Sequence, residues 1–139
     1  MADITREQYE QLRQQAIAAF PTDQLAKMAA FDAQLFFSLI MPDSFYRPFS
    51  DFHMSLLDVV SHNQRTGRRE CRIGPRGWGK STTVTEGGSI YVICRNAYLD
   101  DSQRYKFILI TSDTTSQAEA RLATIKANLE SNPHIAKYY

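Results

Sequence analysis

Cysteine is scarce in this chain. There are two, Cys71 and Cys94. They are too far apart for CxxC metal spacing, and a disulfide framework needs more and closer cysteines. Free thiols in a reducing compartment are the expectation. Long apolar runs are missing as well. No stretch approaches the ~20 residues of a transmembrane helix, and the opening MADITREQYEQ has no apolar core of the secretory kind. A cytosolic protein is expected. Charge of one sign is also lacking: Lys+Arg 16 against Asp+Glu 15 leaves a net +1. The whole chain therefore carries no sign of a general nucleic-acid or membrane-surface binder. There are no repeats, low-complexity tracts or linkers. What remains is an ordinary globular composition, 43% hydrophobic and 22% charged, at a length that suits one domain.

Hydrophobic spacing predicts helices first. Thr5 and Gln8 can form a capping box, with Ile4 and Tyr9 as a staple. Tyr9, Leu12, Ala16, Ile17 and Phe20 then share a face, and Pro21 ends the helix. A second helix is expected from Thr22 or Asp23 to about Met41, with Leu25, Met28, Leu35, Phe36 and Leu39 at helical spacing. The connection MPDSFYRPFS leads to a third helix after Ser50, with Phe52, Leu56, Leu57 and Val60 inward. Asn63 to Gly67 reads as a turn.

The pattern then alternates. ECRI (70–73) reads as a strand and GPRGWGKST as a loop. A helix follows to about Cys94, despite its Gly87–Gly88 pair. YKFILIT (105–111) is a continuous apolar run of the kind found in buried parallel strands. Ser112 or Asp113 should cap a last helix with Ala118, Leu122, Ile125 and Leu129 inward, ended by Asn132–Pro133. Strands alternating with helices predict an α/β parallel sheet.

One motif carries chemistry. Gly74-Pro75-Arg76-Gly77-Trp78-Gly79-Lys80-Ser81 fits G-x-x-x-x-G-K-[ST]. At ordinary residue usage a match arises by chance in about one such chain in a few hundred, so the pattern weighs by itself. A loop that wraps a polyphosphate with its own N–H groups needs glycine where a Cβ would block approach. The following helix points its positive end at the phosphates. Lys80 places a charge on the β/γ oxygens, and the Ser81 hydroxyl can ligate Mg²⁺. Arg65, Arg68, Arg69, Arg72, Arg76 and Lys80, opposed only by Glu70, gather positive charge around this loop.

The variant GPRG-x-GKST, with Arg76 four residues before the lysine, resembles the Walker A motif of phage and viral terminase large subunits. RPFSDFHMSLLDVV resembles the segment leading into that family's ATPase core, and FILITSDTTSQAEARLATIKANLESNPHI its second strand and next helix. The resemblance runs from about residue 30 to the end. It implies a P-loop NTPase of the RecA/ASCE-like type, an incomplete parallel sheet preceded by helices. Residues 1–62 would be the N-terminal helical region and 63–139 the first part of the ATPase core. It implies an ATP- and Mg²⁺-dependent motor that drives double-stranded DNA into procapsids. The partners implied are DNA, a portal protein, a small terminase subunit and further motor subunits, with no membrane, in the cytoplasm of a host cell. The implied nucleotide-binding set is Gly74, Pro75, Arg76, Gly77, Trp78, Gly79, Lys80, Ser81 and Thr82. Arg76 and Lys80 act in catalysis, and Ser81 binds the metal. Adenine contacts would come from Tyr46, Arg47, Phe49 and His53.

The chain departs from the family in one respect. No apolar run ending in Asp-Glu, the Walker B element, is present. Asp100 and Asp101 stand in a polar loop and read as solvated carboxylates. Catalytic inactivity of the isolated chain is therefore expected, and a fragment or truncated gene product is implied. Two alternatives remain open: a helicase-like P-loop translocase, and a non-catalytic nucleotide-binding remnant. Trp78, His53, Ser112 and Thr114 each also have a plain local role available, in packing, hydrogen bonding or helix capping.

Overall fold

A computed structural model describes residues 5–62 and 71–139, with only the backbone for Arg6, Tyr9 and His62. The capping box forms as the sequence predicts. Thr5 caps α1 (Arg6–Ala19), accepting from Gln8 N at 3.2 Å while Gln8 Oε1 accepts from Thr5 N at 3.0 Å. The Ile4–Tyr9 staple lies outside the described residues. The apolar face of α1 is thinner than its periodicity suggests: Ile17 packs on the core, but Leu12 and Phe20 stay exposed. Arg13 ties α1 down instead, donating to the Ser38 carbonyl at 3.3 Å and pairing with Glu10.

Where one helix is expected from residue 22 to 41, the chain makes two, α2 (Thr22–Phe31) and α3 (Ala33–Ile40). Asp32 divides them. Its backbone is extended, and its carboxylate accepts from Leu35 N at 3.0 Å. A short acidic side chain that can bond nearby N–H groups favours starting a new helix over continuing the old one. The break turns Met28 out to solvent and leaves Phe36, Phe37, Leu39 and Ile40 fully buried. α4 (Asp51–His62) starts after Ser50 as predicted.

The expected parallel α/β sheet is not formed. Among the described residues there is no strand. Positions 71–73 and 105–111 are irregular backbone, with Ile73 89%, Phe107 83% and Leu109 80% exposed. A strand exists only through ladder bonds to a neighbour, and among the described residues neither segment makes one. Residue 70 and the turn expected at 63–67 lie outside the described residues, as do Arg65, Arg68 and Arg69 of the basic cluster. The apolar run YKFILIT expresses a preference for burial that local sequence alone cannot satisfy.

The core is built from helices. The rings of Phe36 and Tyr91 meet edge-on, centroids 5.1 Å apart, and Phe36 meets Phe37 at 5.8 Å. The Tyr91 hydroxyl donates to the buried Ala30 carbonyl at 3.1 Å. Tyr91 belongs to α5 (Gly88–Arg95), which continues directly from a π-wound segment, Ser81–Gly87. Gly87 lets this segment lie against α3, since a Cβ there would collide with the Phe37 ring. A short 3₁₀ turn, Asn96–Tyr98, closes α5.

The last predicted helix starts later than expected. Thr114, not Ser112 or Asp113, caps α6 (Thr115–Ser131) by accepting from Gln117 N. α6 buries Ile125 and partly Leu129, while Leu122 stays outside. Arg121 of α6 reaches the buried carboxylate of Glu86 in the π-wound segment. Asn132–Pro133 ends α6 but also begins α7 (Pro133–Tyr138). Asn132 accepts from His134 N at 2.9 Å and donates to the Ile40 carbonyl at 2.9 Å. Proline at the first helical position loses no bond there. No helix among the described residues is long and apolar enough to cross a membrane.

The bare YKFILIT segment carries an expected result. Exposed apolar backbone without a ladder partner is a template for edge-to-edge association. Leu109→Lys should raise the soluble fraction on expression, because a charge interrupts such pairing. It should leave the melting temperature unchanged, because Leu109 is 80% exposed. A melting temperature that falls with Leu109→Lys would show that the segment is packed after all.

Candidate functional site

The loop from Gly74 to Gly79 turns tightly and delivers the chain into the π-wound segment, with Lys80 as its first helical residue. Gly77 and Gly79 have φ of 82° and 69°, a backbone region that L side chains rarely enter. Gly79 is a fixed glycine of the motif, and Gly77 stands at one of its variable positions. The loop is followed by a helix start, its first turns π-wound, and no strand precedes it among the described residues.

α4 carries the loop. A Cβ on Gly74 would lie 2.8 Å from the Phe52 ring, so glycine lets the backbone rest on that ring. The Trp78 indole meets the same ring edge-on at 5.3 Å. Two ends of the loop thereby share one support. The next residue, His53, reaches the third point: a Cβ on Gly79 would lie 3.5 Å from His53 Nε2. Ser50, just before α4, lies 2.8 Å from His53 Nδ1 through its hydroxyl and holds the ring in place.

Lys80 folds back across the loop. Its Nζ lies 2.5 Å from both the Gly74 and the Pro75 carbonyl oxygens, and donates to each. An ammonium has three N–H donors, so one remains for a ligand while the loop is closed this way. Arg76, Gly77, Trp78 and Ser81 are exposed, and Gly79 and Thr82 are half-buried. Arg72 is exposed just before the loop.

Beside the loop is a cavity of about 610 Å³. One wall is the connection from Ser44 to Ser50 with His53. The other is Gly77, Trp78, Gly79, Thr82 and Thr83. Phe45 and Phe49 stack along the first wall at 5.5 Å. Tyr46, Arg47, Phe49 and His53, singled out by the resemblance, all line this cavity, so segments some 25 residues apart in sequence meet at one place. Its size and aromatic lining with a few polar groups suit a small organic ligand.

Thr83 is a site residue that the sequence reading passed over. It is 0% exposed, and its hydroxyl finds no hydrogen-bond partner among the described residues. The sequence signal was weak: one more threonine after Ser81 and Thr82. Only the π winding and the cavity show where it stands. Asp100 and Asp101 are exposed in their own loop, with Asp101 paired to Arg104 at 2.9 Å. Among the described residues, no group of three or more His, Cys, Asp or Glu side chains could hold a metal ion.

Cys71 is exposed and Cys94 buried, both free, and burial pushes the Cys94 thiol up to about 12. A thiol so reluctant to ionise is no nucleophile. No protein family, curated protein or solved structure matches the chain.

Proposed function

We propose that this chain binds a nucleoside triphosphate, ATP with Mg²⁺, as the nucleotide-binding part of a viral DNA-packaging motor of the terminase large-subunit type. The observation that carries the reading is the meeting of two parts: a glycine loop with Lys80 folded across it, and an aromatic cavity opening beside it. The loop suits a polyphosphate, which needs backbone N–H groups and a cation without bulk. The cavity suits a planar base, which stacks on aromatic faces. Phe49 and Trp78 offer such faces within reach of the loop, with Phe45 buried behind Phe49. The packaging role rests on the sequence resemblance, through Arg76, the segment 47–60 and the segment 107–135.

Trp78 makes the test direct, because it is the chain's single tryptophan and it stands in the loop. Titration with Mg²⁺–ATP should change its fluorescence saturably, and AMP should do so far more weakly. A flat titration, confirmed by calorimetry, would overturn the nucleotide reading.

A further inference from the structure

The segment from Tyr105 to Thr111 is anchored at its start and open along its length. Asn96, in the turn that closes α5, donates its side-chain amide to the Tyr105 carbonyl at 3.0 Å and accepts from Tyr105 N at 3.1 Å. One side chain thus makes the two bonds that a neighbouring strand would make to that residue. From Lys106 to Thr111 no backbone–backbone bond is made among the described residues. Phe107 and Leu109, 83% and 80% exposed, have the i, i+2 spacing that puts side chains on one face of a strand. Of the residues between and beyond them, Ile108 lines a cavity and Ile110 packs on the core. That cavity, of about 280 Å³, lies between the segment and Val59, Val60, Val84 and Val92, and no charged residue lines it.

The partner of such a segment must be extended, apolar on both faces, and free of positive charge opposite Lys106. The sequence YKFILIT meets these terms itself. Run antiparallel about Ile108, a second copy sets Phe107 opposite Leu109 and Lys106 opposite Ile110. The exposed apolar side chains of one copy then cover those of the other. The two lysines stand at opposite ends of the pair. Arg104 falls opposite Ser112, one residue from Asp113, so unlike charges approach each other beyond each end. In a strand, alternate residues offer N–H and C=O to the same edge. Asn96 holds the edge of Tyr105, and Ile108 and Ile110 offer theirs to the other. On that free edge Ile108 exchanges both bonds with its copy, and Lys106 exchanges both with Ile110.

We propose that residues 105–111 are the docking edge for a second copy of this chain, the two segments forming an antiparallel ladder about a two-fold axis at Ile108. The valine-walled cavity takes the inward isoleucines of the incoming segment. The contact is the same surface on both copies and closes at two, unlike the head-to-tail contacts of a ring. It does not depend on the nucleotide reading.

The experiment is sedimentation equilibrium of the whole chain over a wide concentration range. Monomer and dimer are the only species expected. Leu109→Lys should raise the dissociation constant about a hundredfold, because one substitution acts twice across a two-fold axis. At dilutions where the pair has separated, it should melt as the parent does. Leu12→Lys, at a 55% exposed apolar position on α1, should leave the association unchanged. The register is read by cross-linking in a Cys71→Ser background. Phe107→Cys mixed with Leu109→Cys should form a disulfide-linked pair under mild oxidation, because directly opposed residues of this kind have α-carbons about 4.5 Å apart. Each variant alone should cross-link far less. A chain that stays monomeric, or one that forms a ladder of larger species, overturns the proposal. So does equal weakening by Leu12→Lys, or cross-linking of either variant alone as strongly as the mixture.

Discussion

Replacing Lys80 with alanine should weaken ATP binding about ten- to a hundredfold while the helices stay folded. The magnitude follows from hydrogen bonds to charged groups, worth roughly 1.5–3 kcal/mol each. The structure adds a route for the loss. The Lys80 ammonium donates to the Gly74 and Pro75 carbonyls at 2.5 Å each. It thus links the start of the loop to the first helical residue. Alanine removes both the positive charge of the loop and the tie between Lys80 and the Gly74 and Pro75 carbonyls. The helical core does not depend on either, since its fully buried rings, Phe36, Phe37 and Tyr91, lie on α3 and α5. Calorimetric titration, with circular dichroism as the folding control, checks the claim. An unchanged affinity would remove the phosphate-loop reading altogether.

The chain by itself should hydrolyse ATP barely above background. Phosphoryl transfer to water needs Mg²⁺ held from two sides and a water aimed at the γ-phosphorus. Ser81 supplies one hydroxyl. The sequence has no apolar run ending in Asp-Glu to supply the second metal contact and the base. Asp100 and Asp101 are poor substitutes, because they are solvated and Asp101 is engaged by Arg104 at 2.9 Å. General-base assistance alone contributes typically 10²–10⁴-fold. A phosphate-release assay on purified chain beside Lys80→Ala decides the matter. Brisk Mg²⁺-dependent turnover that Lys80→Ala abolishes would mean that these aspartates, or a second copy of the chain, complete the site.

Much of the helical structure was legible because its causes are local. The Thr5–Gln8 box, the stop at Pro21 and the start after Ser50 each depend on a few neighbouring residues. So does the loop, because Gly77 and Gly79 are needed for a backbone that turns through positive φ. Elements misread from sequence failed for two reasons. Asp32 and Asn132 were read through by hydrophobic period or by punctuation, whereas each acts as an N-cap that begins a helix. The strands expected at 70–73 and 105–111 are absent from the described residues 71–73 and 105–111, because apolar content does not make a strand. A strand requires a partner at ladder distance, and partner choice is not encoded in a seven-residue run.

The sequence by itself determined the chemistry available to the loop: which residues can turn, which carries the charge and which hydroxyl stands beside it. Those properties belong to glycine, lysine and serine in a given order. The tertiary structure alone decided what the loop faces. α4 brings Phe52 and His53 beneath it, the connection 44–50 supplies an aromatic wall, and the π winding after Lys80 leaves the Thr83 hydroxyl buried and unpaired. None of these contacts is local in sequence. Each depends on how helices pack once Gly87 allows α3 and the loop's own helix to close, and packing partners are set by the shape of the whole core.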